Sequence, residues 1–164
     1  MLMKQGASSM QLTRAADYAI RVMIHLATRE TGARLLLPQL AAATGVSRSF
    51  LSKVLQMLAQ SGFVASWRGQ AGGFELLERG RTATVREIIE AIDGPVHLNV
   101  CLVSGHACSR QVWCPAHPVW ARAQQAMLDV LGSATVAELA DTANTTIQNN
   151  CKVPAATAQI LPVL

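Results

Sequence analysis

Three cysteines and a histidine lie close enough along the chain to serve one chemical centre. Cys101, Cys108 and Cys114 fall within the segment LNVCLVSGHACSRQVWCPAH, which ends at His117. Six residues separate the first two cysteines and five separate the next two, so these thiols cannot be neighbours on one helix turn. Thiolates are soft ligands, and a loop that wraps three of them around one centre is typical of an iron-sulfur site.

Two other interpretations of these cysteines stay open. A zinc site more often contains CxxC pairs, which this sequence lacks. Free or oxidation-sensing thiols would need no metal at all. A disulfide framework is the weakest expectation in a reducing cytosol. The fourth cysteine, Cys151, has no predicted role.

Length and composition limit the architectures that this chain can adopt. The 164 residues suffice for one domain with a substantial core and an arm or tail, and a hydrophobic fraction of 51% favours an oligomer that buries the apolar excess. No apolar run reaches the roughly 18 residues of a membrane span, and the N-terminal stretch lacks the apolar region of a signal peptide. The sequence therefore predicts a cytoplasmic protein.

Positive charge is concentrated in one segment. The net charge is +4, and no acidic residue occurs between Glu30 and Glu75. That interval contains four basic residues, which are Arg34, Arg48, Lys53 and Arg68. Such a segment favours binding to a polyanion, although a solvated basic face would look the same from charge alone.

The same segment has the pattern of a helix-turn-helix. Pro38 suits the first turn of a helix over Gln39 to Thr44, and Gly45 ends it as a left-handed residue would. Ser47 then suits the N-cap of a second helix over 48–60, whose apolar face is opposite a polar, basic face. We predict DNA contacts for the exposed positions Ser47, Arg48, Ser49, Ser52 and Lys53, with Arg48 and Ser49 at the base edges.

A short hairpin follows this second helix. Residues 63–67 alternate like a strand, a glycine-rich turn follows, and Phe74 to Leu77 returns. Beside a helix-turn-helix, such a wing would place Arg68 in the minor groove, with Gly69 and Gly72 allowing close approach of the backbone. A phosphate-binding loop of an enzyme is the weaker interpretation, because no Lys-Ser/Thr pair or helix start follows these glycines.

The remaining elements complete a mainly α fold with a small β-wing. An amphipathic helix is predicted from Thr13 to Thr28, another follows the Thr84/Glu87 capping box, and a long helix from Pro118 carries the apolar stripe of a dimerisation helix. The predicted units are a disordered N-terminus over 1–9, a winged helix-turn-helix domain over 10–95, the cysteine loop over 96–117, the dimerisation helix with a short helix over 118–141, and a flexible tail over 142–164.

These motifs together resemble the Rrf-type winged-helix transcriptional regulators, which include IscR-like and NsrR-like branches. The resemblance covers residues 10 to about 141 and is carried by LTRAADYAIR, GVSRSFLSKVLQML, SGFVASWRGQAGGFEL and the three cysteines. It implies a homodimer that binds a pseudo-palindromic operator in double-stranded DNA. It also implies an iron-sulfur cluster held by Cys101, Cys108 and Cys114.

The resemblance leaves two candidates for the fourth ligand. His117 follows Cys114 with the CxxH spacing of the IscR-like branch. Asp17 lies in TRAADYA, which matches the NsrR-like branch, where a carboxylate of the first helix reaches the cluster of the other subunit. Both residues have plain structural alternatives, because His117 could be an N-cap and Asp17 could stabilise the dipole of its own helix. We favour His117 because it adjoins Cys114.

The sequence thus predicts a transcriptional regulator, more specifically a repressor, that senses redox state, nitric oxide or iron supply. It does not predict an enzyme, because no nucleotide loop, catalytic carboxylate pair or nucleophile-base arrangement accompanies the cysteines. Two alternatives are an iron-sulfur redox or assembly protein without specific DNA binding, and a zinc-stabilised DNA-binding protein. The cluster type, signal and operator sequence are not encoded in any recognisable motif.

Overall fold

The computed structural model describes residues 12–69, 72–103, 110 and 112–150, with the backbone alone for 147–150. The predicted disordered N-terminus and residues 151–164 of the predicted tail lie outside the described residues. Cys108 and Cys151 also lie outside them.

The described part of the chain is mainly helical, with one small antiparallel sheet, as predicted. Its elements in chain order are α1 (Arg14–Ala27), β1 (Arg34–Leu35), α2 (Leu37–Thr44), α3 (Arg48–Gln60), β2 (Val64–Trp67), β3 (Gly73–Leu76), α4 (Glu78–Thr82), α5 (Val85–Asp93), a 3-10 helix (Val100–Leu102), α6 (His117–Ser133) and α7 (Val136–Asn150).

The core forms where the apolar faces of α1 and α3 meet. Thr13 caps α1 by accepting a hydrogen bond from the Ala16 backbone at 3.2 Å. Helix α1 buries the side chains of Ala19, Val22, Met23 and Leu26, and α3 contributes Leu51, Val54, Leu55 and Leu58 to the same cluster. Because burial of each large aliphatic side chain stabilises the fold by about 1.5–3 kcal/mol, this core fixes the direction of the opposite, polar face of α3.

The predicted helix-turn-helix is confirmed. Gly45 follows α2 with a φ of 70°, the left-handed conformation that glycine adopts without strain. Ser47 is in an extended conformation, and α3 begins at Arg48. Helix α2 starts at Leu37, two residues before the predicted start, with Pro38 in its first turn.

The predicted wing is confirmed and contains one more strand. Strands β2 and β3 form the antiparallel hairpin, with Val64 opposite Leu76 and Trp67 opposite Gly73. Strand β1 pairs with the other edge of β3, so the order is β1-β3-β2. The short segment before α2 is therefore an edge strand that anchors the wing to the helix-turn-helix.

The end of α6 is joined by backbone contacts to the segment that precedes α5. Thr84 and Thr135, the residues before α5 and α7, pair as an isolated antiparallel bridge. The Val85 N–H donates to the Ala134 carbonyl and the Val136 N–H to the Ala83 carbonyl, each at 2.9 Å. The C-terminal end of α6 is thereby fixed to the segment between the wing and α5.

The chain beyond Asp141 differs from the prediction. Helix α7 continues to Asn150, so residues 142–150 are helical and do not belong to a flexible tail. The Thr142 and Thr146 hydroxyls donate to carbonyls one turn back, at 2.9 Å each. Val136 and Ala140 are buried in the common core, so packing on α1 stabilises a helix whose polar sequence alone would not indicate one.

The caps of α5 and α7 predict an acid-dependent stability. Backbone and hydroxyl hydrogen bonds from Thr84 lower the pKa of Glu87, and those from Thr135 lower the pKa of Glu138, relative to the ordinary 4.5. Since the pKa values are lower in the folded state, this stabilisation is present above pH 4.5 and is lost as the pH falls through the folded values.

The double variant Glu87→Gln/Glu138→Gln keeps an oxygen acceptor at each cap but does not ionise. We expect its thermal midpoint to depend less on pH below about 4.5 than that of the wild type. Differential scanning calorimetry across this range measures the effect. Glu30→Gln is the control, because the Glu30 carboxylate makes no hydrogen bond or ion pair within the described chain. Parallel curves for the double variant and the wild type would contradict the account.

Candidate functional site

The outer face of α3 has the composition predicted for a nucleic-acid contact. Arg48, Ser49 and Lys53 are exposed, and Ser52 is half-buried. No acidic residue lies in the first turn, and the Ser47 side chain forms no capping hydrogen bond. The position of Ser47 as N-cap is therefore confirmed, while its hydroxyl remains available to a ligand such as a phosphate oxygen.

Two residues of α1 extend this face and were not predicted from the sequence. Arg14 and Tyr18 line a groove of about 260 Å³ together with Ser47 and Phe50. The Tyr18 and Phe50 rings meet edge to face, with their centroids 5.8 Å apart. A cation in the first turn of a helix is opposed by the helix dipole, so the position of Arg14 was the available signal for a role outside its own helix.

The tip of the wing is formed by a tight glycine turn. Arg68 and Gly69 are exposed, and Gly69 has a φ of 97°. A Cβ atom at Gly72 would lie 2.6 Å from the Trp67 carbonyl oxygen, so the turn accepts no side chain there. Both predicted glycines are thus required by the turn itself, and the turn presents Arg68 beyond the end of β2.

The sequence counted Arg34 among the four basic residues that favour binding to a polyanion, but its charge is paired in the structure. Its Nε lies 3.1 Å from Oε2 of Glu75, the cross-strand partner of Arg34 on β3. Its guanidinium also stacks 3.9 Å from the centre of the Trp67 ring. The positive charge of this segment is therefore carried by Arg48, Lys53 and Arg68, none of which forms an ion pair within the described residues.

The cysteine loop is attached to the long helix α6. Cys101 lies in the 3-10 helix and is half-buried. Three residues earlier, the Leu98 N–H donates to Oε1 of Gln124 on α6 at 3.0 Å. Cys101, the first predicted ligand along the chain, is therefore held near α6. Helix α6 begins at His117, the last predicted ligand.

Cys114 and His117 are joined by one turn that leads into α6. The His117 N–H donates to the Cys114 carbonyl at 3.2 Å, and both residues are half-buried. Ala116 occupies the N-cap position and His117 is the first helical residue, so the interpretation of His117 as the N-cap is wrong. Its imidazole has no capping role in α6.

Asp17 lies on α1 and forms an ion pair with Arg21, with 3.0 Å between Oδ2 and Nε. Among the described residues, no three His, Cys, Asp or Glu side chains come close enough to hold a metal ion. The structure thus does not bring Asp17, Cys101, Cys114 and His117 together, and Cys108 lies outside the described part of the chain.

His97 lies within the cysteine loop over 96–117, and its imidazole was not singled out from the sequence. Its Nδ1 is buried and has no hydrogen-bond partner among the described residues. A buried polar atom without a partner is unfavourable by about 1–3 kcal/mol, so this nitrogen is suited to a group supplied from elsewhere. The only sequence signal was its position four residues before Cys101.

Helix α6 has two apolar faces where the sequence indicated a single stripe. Leu128 is the buried residue of α6, at 9% exposed, and Met127 and Leu131 beside it are half-buried. The second face, here called the outer α6 face, consists of exposed residues, which are Val119, Trp120, Ala123, Ala126 and Val130. Val119 is 61% and Val130 70% exposed, which leaves this face unpartnered within the described chain.

A winged helix-turn-helix with a basic recognition face defines a DNA-binding protein of the transcriptional regulator class. The Rrf2 family, described as iron-dependent transcriptional regulators, matches residues 12–142. The chain belongs to this family.

Individual relatives agree with this assignment. A protein of Mycobacterium tuberculosis (strain ATCC 25618 / H37Rv), named as an HTH-type transcriptional regulator, is 31% identical over 131 residues, which cover 80% of this chain and 81% of the relative. The structure of CymR, the global cysteine regulator of B. subtilis, is 25% identical with a TM-score of 0.66, covering 80% of this chain and 97% of CymR.

The fold is also shared with IscR of T. potens. That similarity has a TM-score of 0.58 at 23% identity and covers 94% of this chain and 97% of IscR. The relatives are transcriptional regulators and are not named as enzymes. None of the described helices is long and apolar enough to span a membrane.

Proposed function

We propose that this Rrf2-family regulator is a homodimeric repressor whose operator affinity is controlled by an iron-sulfur cluster. One observation carries the proposal: α6 begins at the Cys114/His117 turn and ends at the Thr84/Thr135 bridge to the DNA-binding domain. A change at the cysteine loop would therefore act directly on a helix fixed to that domain. Redox state, nitric oxide and iron supply are the signals to which such a cluster responds.

The chemistry of the donor set supports a cluster. Cys101 and Cys114 are half-buried thiols on segments that both contact the N-terminal half of α6, and Cys108 belongs to the loop between them. A cluster distributes its ligands over several iron atoms, so it does not require the close grouping needed by one metal ion. We assign Cys101, Cys108 and Cys114 as ligands, His117 as the preferred fourth ligand and Asp17 as the alternative.

When bound, the cluster would supply a centre that changes its charge or falls apart on reaction. The residues of the protein would position the cysteine loop against α6. The Leu98 to Gln124 hydrogen bond holds the Cys101 side of the loop against α6, while the turn at Cys114 starts the same helix. Altered ligation would release one or both attachments, and α6 would then move relative to the DNA-binding domain.

DNA contact is assigned to α3 and the wing. Arg48 and Ser49 would reach base edges, while Ser47, Ser52 and Lys53 would contact the backbone phosphates. Arg68, with Gly69 and Gly72, would enter the minor groove. Arg14 and Tyr18 add donors beside Ser47, where the start of α3 favours a phosphate.

The outer α6 face supports a homodimer. Val119, Ala123, Ala126 and Val130 follow one another at intervals of three or four, and Trp120 lies beside them, so together they form one apolar surface on a helix of 17 residues. Two-fold pairing through this face would bury it and place two recognition helices on a pseudo-palindromic operator.

The DNA assignment is tested by replacing Arg48 with Ala. We expect wild-type binding to weaken steeply with salt, since each phosphate contact contributes about 0.9 to the slope of log affinity against log salt. Arg48→Ala should lose about 1–3 kcal/mol of discrimination between specific and random duplexes if Arg48 reads a base. Fluorescence anisotropy on both duplexes measures these quantities.

Arg86→Ala is the matched control for this test, because Arg86 pairs with Glu90 on α5, away from the basic face. Its affinity should equal that of the wild type. A flat salt dependence of the wild type would contradict the regulator assignment. An equal loss on specific and random DNA in Arg48→Ala would show that Arg48 contacts phosphate alone.

A further inference from the structure

A second polar surface lies between α1, α2 and α7; it shares no residue with the DNA-contact face, and its Arg21 is the ion-pair partner of Asp17. It is a groove of about 540 Å³, within the range of about 300–1,000 Å³ typical of small-molecule sites. Its polar lining consists of Arg21, His25, Thr28, Arg29, Thr44 and Asn144. Helix α7 forms one side, so the groove depends on the helical segment beyond Asp141.

The charge of the groove favours an anion. Arg21 and Arg29 line it, and no carboxylate does so among the described residues. Arg21 shares its charge with Asp17, at 3.0 Å. Arg29 has no carboxylate partner within the described chain and is therefore the available cation.

His25 orients Arg29 without adding charge. Its Nε2 lies 3.4 Å from Nη2 of Arg29. Burial, together with the positive charge of Arg29, lowers the pKa of His25 below its ordinary 6.5, so the imidazole is neutral near pH 7. In the tautomer that carries its proton on Nδ1, Nε2 accepts from the guanidinium and limits its freedom.

Two hydroxyl groups give the groove acceptors. The Thr28 hydroxyl donates to the His25 carbonyl at 2.8 Å, and the Thr44 hydroxyl donates to the Leu40 carbonyl at 2.7 Å. Each oxygen has thereby used its proton and can only accept from a ligand. The side-chain amide of Asn144 can both donate and accept a hydrogen bond. An anion without a hydroxyl group, such as succinate, would leave these acceptors unused.

The rest of the lining is apolar and small, formed by Ile24, Ala43 and Ala143. We propose that the groove binds a small hydroxycarboxylate, whose carboxylate pairs with Arg29 and whose hydroxyl donates to a threonine oxygen. Its short carbon chain would lie on the apolar residues. This inference goes beyond the proposed function and requires neither the cluster nor DNA.

Such a ligand would connect α7 to the helix-turn-helix. Thr44 is the last residue of α2, directly before the Gly45 turn that leads to α3. Asn144 lies on α7, whose N-terminal bridge also holds the end of α6. A bound ligand would therefore stabilise the packing of α7 against α1 and α2, and the thermal midpoint would rise with ligand concentration.

The test is isothermal titration calorimetry of the full chain with L-malate, succinate and inorganic phosphate. We expect saturable binding of L-malate, weaker binding of succinate, which lacks the hydroxyl, and a malate affinity reduced about tenfold or more in Arg29→Gln. Arg86→Gln is the control, since Arg86 is an arginine of α5 that does not line the groove. Its affinity should be unchanged, and thermal melts should show that both variants fold.

Three results would overturn the proposal. The first is equal malate affinity in Arg29→Gln and the wild type. The second is binding of phosphate without binding of L-malate, which would identify a simple anion site. The third is a loss of DNA affinity in Arg29→Gln without any added ligand, which would assign the groove to the DNA backbone. None of them bears on DNA contact by α3.

Discussion

Replacement of Cys114 by Ala is expected to abolish retention of the iron-sulfur cluster. Cys114 supplies a thiolate and is also the carbonyl acceptor that closes the turn into α6. Ala keeps this backbone bond but removes the ligand, so the fold should persist. Protein purified without oxygen should show iron, sulfide and visible absorption in the wild type and lose them in the variant.

Cys151→Ala is the matched control, because Cys151 is the one cysteine of the chain without a proposed role. It should retain the cluster. If the anaerobic wild type holds neither iron nor sulfide, the cluster assignment fails. Zinc in place of iron would favour the zinc-stabilised alternative.

The same preparation distinguishes the two candidates for the fourth ligand. We expect His117→Ala to lower cluster stability, since His117 has no capping role that would explain it otherwise. Asp17→Ala should break the exposed ion pair with Arg21 and leave the cluster in place. The opposite pattern, with a stable cluster in His117→Ala and loss in Asp17→Ala, would assign Asp17 as the ligand.

The double variant Val119→Asp/Val130→Asp is expected to convert the dimer to a monomer. Both side chains are more than half exposed in the single chain, at 61% and 70%, so the changes should not disturb the core. Burial of two unpaired carboxylates per chain in a two-fold interface is strongly unfavourable. Analytical ultracentrifugation measures the association state directly.

Loss of the dimer also separates the two recognition helices. Operator affinity should fall by about 10²–10⁴-fold, because two linked contacts become two independent ones. Val112→Asp is the matched control, since Val112 is 99% exposed and lies outside α6. It should remain dimeric. A double variant that stays dimeric would place the interface elsewhere.

The elements predicted well from the sequence are those with both a periodic apolar face and a clear end signal. Helix α3 has four buried aliphatic residues at helical spacing, and Gly45 and Ser47 mark its beginning. The capping box at Thr84 located α5 for the same reason, since cap chemistry is local.

Features that depend on distant residues were not predicted. Helix α4 has five residues and no periodicity, and a Cβ on its Gly80 would meet the carbonyl of Phe63, the residue before β2, so that backbone sets its place. Helix α7 is polar beyond Asp141, and its buried residues Val136 and Ala140 pack in the common core. The ion pair of Arg34 with Glu75 results from strand register, which the sequence alone did not specify.

The candidate site, like the fold, was predicted only in part. The basic face of α3 and the glycine turn of the wing follow from local sequence, and both belong to one winged helix-turn-helix domain. Arg14 and His97 were not predicted, because their surroundings depend on tertiary contacts. The sequence offered only the unfavourable charge of Arg14 in the first turn of α1 and the position of His97 close to Cys101.

If the cysteine loop controls operator binding through α6, removal of the cluster must change operator affinity. The affinity of one anaerobic preparation for its operator is measured before and after removal of the cluster, at constant salt. We expect the dissociation constants of the two forms to differ by about tenfold or more, a coupling of about 1.4 kcal/mol. Equal affinities of the cluster-bound and cluster-free forms would show that the cluster does not control DNA binding.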